Sequence, residues 1–211
     1  MASVLWGVDG EAWDPANSLL RDFTDVGYMK GDVAIPDWTE GVNVTNYGAV
    51  GDGLTDCTQA FIDAISNCPP YSAVFIPNGK YKITGNISVS KDNIVLQGES
   101  RDESILYFPV YSPTIQFDGG TNRGIENLSL VFRDSKKPDG HWNFYGGDPL
   151  VFQNGEKHSW VRNLYIRNAN HGIIMRGESP ATSYISVMDV VLDQCAERAN
   201  YLDSTSGHMG I

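Results

Sequence analysis

The sequence predicts an all-β solenoid, in which short strands wind into stacked coils around one shared apolar interior. Three observations point to it. From residue 73 onward, apolar runs of three to eight residues recur, each bounded by turn residues. A four-residue pattern repeats as Asn127-Leu128-Ser129-Leu130 and Asn163-Leu164-Tyr165-Ile166. Asn93-Ile94-Val95-Leu96 matches it, and Asp189-Val190-Val191-Leu192 matches loosely, so the spacings between positions 93, 127, 163 and 189 are 34, 36 and 26. A coil of about 25 residues with insertions explains such intervals. Finally, one amphipathic helix precedes the strands, with an apolar face that must cover something.

Residues 1–42 read as an irregular arm packing on the body. Trp6, Trp13, Phe23, Tyr28 and Trp38 are scattered among Gly, Asp and Pro without a steady period. Val42 to Tyr47 then alternates like a strand. Gly48-Ala49-Val50-Gly51-Asp52-Gly53 is a tight turn region, in which Asp52 is explained by turn hydrogen bonding. The helix is predicted over 56–67: Asp56 with Gln59 has capping-box spacing, and Ala60, Phe61, Ala64 and Ile65 share one face. Pro69-Pro70 ends it. This helix is expected to cap the N-terminal end of the stack.

The strands that follow include Ala73–Ile76, Tyr81–Thr84, Ile94–Gly98, Ile125–Leu130, Trp160–Ile166, Gly172–Met175 and Ile185–Leu192. Residues 134–149 are the main loop insertion. In this register Leu128, Leu164 and Val190 stack inward, Asn127, Asn163 and Asp189 lie outside, and Arg167 falls beside Asp193. The β-helix domain is read as 43–211. No closing cap follows residue 192, so the domain is expected to be the N-terminal part of a longer solenoid. Its open end would then meet the remaining coils or a second copy.

Composition narrows the function. Lys plus Arg is 15 and Asp plus Glu is 26, a formal net charge of −11. That balance argues against nucleic acid, whose binding needs a basic face. No run approaches ~20 apolar residues, so membrane insertion is not expected. The first residues lack a basic head and a long apolar run. Cys57 and Cys68 bracket the helix and would stand ~16 Å apart, too far for a disulfide.

Asn46-Tyr47-Gly48-Ala49-Val50-Gly51-Asp52-Gly53-Leu54-Thr55-Asp56-Cys57-Thr58-Gln59-Ala60-Phe61 resembles the N-terminal signature of the pectate-lyase-like superfamily. Val74-Phe75-Ile76-Pro77-Asn78-Gly79-Lys80-Tyr81-Lys82-Ile83 resembles the segment that usually follows it. The superfamily pattern commonly has a second Asp where Cys57 stands. The resemblance implies a right-handed parallel β-helix over roughly 42–211, and a protein that handles polysaccharide outside the cell or on its surface, with its leader not in this sequence.

Among the activities the resemblance implies, β-elimination on an acidic, uronate-containing polysaccharide ranks first. A glycoside hydrolase comes next, and a carbohydrate-binding, tailspike-like β-helix is the alternative without catalysis. A uronate lyase needs a base to take the C5 proton and a cation to quiet the carboxylate. His171 and Arg176, which flank Gly172–Met175, are the candidate catalytic residues, with His208 near the terminus as a third. A calcium ion bridging substrate and protein is the one cofactor the resemblance suggests. Trp142 and Tyr145 in the insertion are candidates for stacking on sugar rings, and Arg167 and Asp189 for polar contact with substrate. Hydrolysis would need two carboxylates ~5–5.5 or ~6.5–9.5 Å apart. Asp189 and Asp193 on one strand face would be ~13 Å apart.

Overall fold

The computed structural model describes residues 28–31, 33–110, 113–133, 147–169, 171–176, 182–193, 195, 198–202 and 209–210. The chain turns in right-handed coils with three faces each, and every strand pairing is parallel. The first coil is β1 (Glu40–Asn43), β2 (Asp52–Asp56) and α1 (Thr58–Asn67). The second is β3 (Ser72–Ile76), β4 (Gly79–Lys82) and β5 (Ile87–Val89), and the third is β6 (Ile94–Gly98), β7 (Ser104–Phe108) and β8 (Ile115–Asp118). From there one long strand supplies two faces: β9 (Arg123–Phe132), then β10 (Leu150–Gln153); β11 (Lys157–Arg167), then β12 (His171–Met175); β13 (Ser183–Asp193), then β14 (Arg198–Leu202) and β15 (Met209–Gly210). Face 1 holds β1, β3, β6 and the first halves of the long strands. Face 2 holds β2, β4, β7 and their second halves, and face 3 is the sheet β5-β8-β10-β12-β14.

The interior is built by stacking like on like. Val74, Leu96, Ile125 and Val161 form one fully buried column, and Leu128 and Leu164 another, which Val190 extends. On face 3, Phe117 and Phe152 stack with centroids 4.6 Å apart; Phe108 and Phe132, where face 2 ends, do so at 4.7 Å. Those separations match the ~4.8 Å strand spacing, so each ring lies on its neighbour without either strand shifting.

One repeat assignment needs correction. Asn93 does not stack with Asn127; Ile94 pairs with Arg123, and Asn127 lies one face further along. The four-residue pattern recurs at two different corners of the coil, which share the same backbone conformation. Asn127, Asn163 and Asp189 (φ 56, 51 and 53°) turn face 1 into face 2, while Asn93, Asn122, His158 and Tyr184 (φ 59, 57, 51 and 58°) turn the chain into face 1. A left-handed residue bends a strand sharply without breaking its ladder, and asparagine tolerates that conformation best. His158 and Tyr184 tolerate it less well; their rings stack at 4.9 Å. Gly98 occupies the first corner one coil below Asn127, and a Cβ there would lie 2.1 Å from the Asn127 carbonyl oxygen.

Helix α1 stands where the third strand of the first coil would be. It buries Ala60, Phe61, Ala64 and Ile65 over the open interior, with Phe61 edge-on to Tyr81 at 5.8 Å. It begins two residues later than the periodicity predicts, because Asp56 belongs to β2. The expected capping box does not form. The Asp56 carboxylate accepts Thr58 N–H (3.1 Å) and reaches across to the Thr84 hydroxyl (2.5 Å), while Gln59 turns to Asp63 (2.8 Å). Asp52 accepts the N–H groups of Thr55 and Leu54, each at 2.8 Å, and these bonds hold its carboxyl below the usual carboxylate range. Cys57 and Cys68 are buried and free.

Residues 28–31 and 33–39 lie on the outside of face 1. Small side chains there, Ala73 and Val95, leave a trough, and the Trp160 ring occupies the space a Cβ on Gly124 would need. Tyr28 and Trp38 meet Trp160 edge-on at 5.2 and 5.3 Å, and Asp37 pairs with Arg162 at 2.7 Å. Beneath them the fully buried Glu126 accepts Gln97, Trp160 and Arg162. No helix among the described residues is long and apolar enough to cross a membrane.

Candidate functional site

Alternation along the long strands decides what face 2 presents. Tyr81, Leu106, Leu130 and Ile166 point inward and are buried. Their neighbours must therefore point out. Register arranges these neighbours as two outward columns: Lys80, Ile105, Ser129, Tyr165 and Val191, and beside it Lys82, Tyr107, Val131, Arg167 and Asp193. Between them lies an open groove of about 370 Å³. Ile105, Ser129 and Val131 form its floor, and Lys80, Asp102, Tyr165 and Arg167 its walls.

The polar groups of the groove are held by each other. Lys80 Nζ lies 3.9 Å from the centre of the Tyr107 ring, a cation–π contact. Asp193 accepts the Tyr165 hydroxyl at 2.5 Å and faces Arg167 Nε at 3.5 Å. Asp102 receives Arg101 Nε at 2.9 Å. Both groove carboxylates are thus already matched to cations. What a ligand would meet is the Tyr165 ring, the floor and the Lys80 charge, with Arg167 shared between Asp193 and a bound anion. This combination suits a ring with polar edges and a negative group.

The hydrogen bond from Tyr165 to Asp193, followed by partial burial, raises the Tyr165 pKa above its usual 10.0. The phenol donates only while neutral. The stability this bond adds is complete below pH 10 and is lost as pH rises through the elevated folded value. A tyrosinate absorbance titration of the wild type minus that of Tyr165→Phe is expected to show a phenol ionising above 10. A difference curve centred at or below 10 would contradict the geometry.

The predicted site residues are distributed over all three faces. Arg167 pairs with Asp193 as the repeat offset requires. Asp189 does not share a face with Asp193, because it forms the left-handed corner between faces 1 and 2. His171 and Arg176 sit on face 3 at opposite ends of β12, ~16 Å apart at ~3.3 Å per residue, so the structure does not bring them together. His171 Nδ1 is 2.8 Å from Asp148, and Arg176 donates to Gln153 at 3.1 Å, which itself donates to Asp118 at 3.3 Å. Trp142, Tyr145 and His208 lie outside the described residues. Sequence reasoning missed Lys80, Asp102, Tyr107, Tyr165 and Asp148. Alternation within Leu164-Tyr165-Ile166-Arg167 carried the signal for Tyr165; the others needed the cross-coil register. Among the described residues no group of three or more His, Cys, Asp or Glu side chains is arranged to hold a metal.

The stacked parallel coils, the helical lid and the αL corners define the chain as having the β-helix fold of the pectate-lyase-like superfamily. Residues 41–116 match the family described as rhamnogalacturonase A/epimerase, pectate lyase-like. The pre-neck appendage protein of Bacillus phage B103 is 43% identical over 93 residues, spanning 43% of this chain and 10% of that protein. A probable rhamnogalacturonase C of Aspergillus niger is 31% identical over 98 residues, spanning 43% of this chain and 21% of its own length. The chain therefore spans only a small part of these relatives. Among solved structures, pre-mature bacteriophage phi29 gene product 12 superposes with a TM-score of 0.55 at 16% identity, covering 79% of this chain and 28% of that one.

Proposed function

We propose that this chain is a carbohydrate-binding β-helix of the appendage or tailspike kind, and that an acidic glycan lies in the face 2 groove. The observation that carries the reading is the double column itself. Stacking sets Tyr165, Lys80 and Arg167 over a floor of Ile105, Ser129 and Val131. These cations stand out against a chain of net charge −11. The similarity to a phage pre-neck appendage protein supports the appendage part of this reading, and the similarity to a rhamnogalacturonase supports a carbohydrate ligand.

The test is a screen of acidic and neutral polysaccharides, followed by titration calorimetry on the best binder. Tyr165→Ala and Arg167→Ala are each expected to weaken binding by about 10-fold or more, since a charge-assisted hydrogen bond or a ring contact contributes ~1–3 kcal/mol. Variants that bind as the wild type does, or a screen without any acidic binder, would overturn the proposal.

A second reading is cleavage of a glycan lying on face 3, away from the groove. It rests on the Asp148–His171 contact, because a carboxylate on Nδ1 fixes the imidazole tautomer that offers Nε2 as a base. β-Elimination would release products with an ultraviolet-absorbing double bond, and hydrolysis would release reducing ends alone. Turnover abolished by His171→Gln would establish this reading, and absence of turnover on a polysaccharide that binds would remove it.

A further inference from the structure

Where face 1 bends into face 2 there is a second depression of about 440 Å³, lined by Glu99, Ser100, Arg101, Asp102, Asn127 and Asn163. Its chemistry differs from that of the face 2 groove. It contains no aromatic ring and little apolar surface. The left-handed corners stack their amides outward: Asn163 Nδ2 donates to Asn127 Oδ1 at 3.0 Å, and Arg101 Nη1 reaches Asn163 Oδ1 at 3.4 Å. Amide, guanidinium and carboxylate groups packed side by side are the donors and acceptors that read hydroxyl groups. The two depressions adjoin at Asp102, which lines both.

We infer that the corner is a second subsite of the same binding site, so that the ligand is an oligosaccharide of at least two sugar units that bends around the Asn127–Asn163 corner. One unit places its ring on Tyr165 and its negative group among Lys80 and Arg167. The adjoining unit is read through its hydroxyls by Asn163 and Arg101, with Asp102 as the acceptor at the junction. This rests on the glycan-binding reading of face 2 and adds length and shape to it. The corner amides have a left-handed backbone to keep as well, so a variant must respect it: Asn163→Gly removes the amide while retaining easy access to positive φ.

The experiment is calorimetric titration with D-galacturonic acid and with its dimer and trimer. The dimer is expected to bind about 10-fold or more tightly than the monomer. Asn163→Gly is expected to erase most of that gain while leaving monomer affinity unchanged, and Tyr165→Ala to weaken monomer and dimer alike. Thermal melts of the variants separate a lost contact from a lost fold. Equal affinity for monomer and dimer, with Tyr165→Ala still damaging, would overturn the corner subsite and leave the groove standing. A gain that survives Asn163→Gly would also overturn it. Absence of binding by every probe would defeat the groove reading together with this one.

Discussion

Glu156→Ala is expected to cost about 3–5 kcal/mol of folding free energy, the range for orphaning one partner of a buried ion pair. Arg123 and Glu156 are almost fully buried, at 1% and 0% side-chain exposure. Arg123 donates through Nε to Glu156 at 2.9 Å and makes further contacts to the same carboxylate and to the Val89 carbonyl. Glu156 also accepts the Ser159 hydroxyl at 2.6 Å and the Gly120 N–H at 2.8 Å. Alanine would take from the guanidinium its counter-charge and from the Gly120 N–H its acceptor, while the Ser159 hydroxyl keeps the Lys157 carbonyl. At roughly 2–4 °C per kcal/mol for a chain of this size, the melting temperature should fall by roughly 6–20 °C. The double replacement Arg123→Met with Glu156→Leu should recover most of the loss, because it leaves no stranded charge. Urea unfolding of the three proteins is the measurement. A loss under about 1 kcal/mol for Glu156→Ala would mean that water reaches the pair, contrary to the packing.

Leu164→Ala is expected to cost about 2–5 kcal/mol, while Val191→Ala on the next coil should stay within about 0.5 kcal/mol. Leu164 is fully buried between Leu128 and Val190; Val191 is 45% exposed and points into the face 2 columns. The contrast tests the register, because a one-residue slip would exchange the two faces of every strand. If Val191→Ala proved the costlier change, the inward and outward columns would be reversed, and Tyr165 and Arg167 would leave the groove with them. Leu164→Ala should also lower glycan affinity less than Tyr165→Ala does, since its side chain lies on the opposite side of the strand from the ligand.

Much of the fold could be read from local pattern. The helix was legible because Ala60, Phe61, Ala64 and Ile65 recur at helical spacing. The inward stack was legible because Leu128 and Leu164 sit in matching four-residue motifs, and the Arg167–Asp193 pair followed from the offset that aligned Leu164 with Val190. The capping box was misread because Thr84, a residue of the next coil, competes for the Asp56 carboxylate. The Asn93 alignment was misread because a left-handed corner has the same sequence preference wherever it stands in the coil. Two corners per turn therefore look alike in one dimension.

The candidate site was far less legible. Of the residues singled out, Arg167 lines the groove, while Asp189 forms a corner outside it. His171 and Arg176 were read as flanking one strand, and they do, but that strand belongs to face 3 and not to the groove. Lys80, Tyr107 and Tyr165 come from three different coils, 27 and 58 residues apart in sequence.

By itself, then, the sequence determined that short strands would stack, which side chains would enter the shared interior, and that an amphipathic helix would accompany them. Those properties depend on periods of two and of 3.6 residues, which are local. The tertiary structure alone decided which outward residues become neighbours. Adjacency between coils depends on the length of every intervening loop and on where the left-handed corners fall. The groove is made of contacts across strands rather than along them.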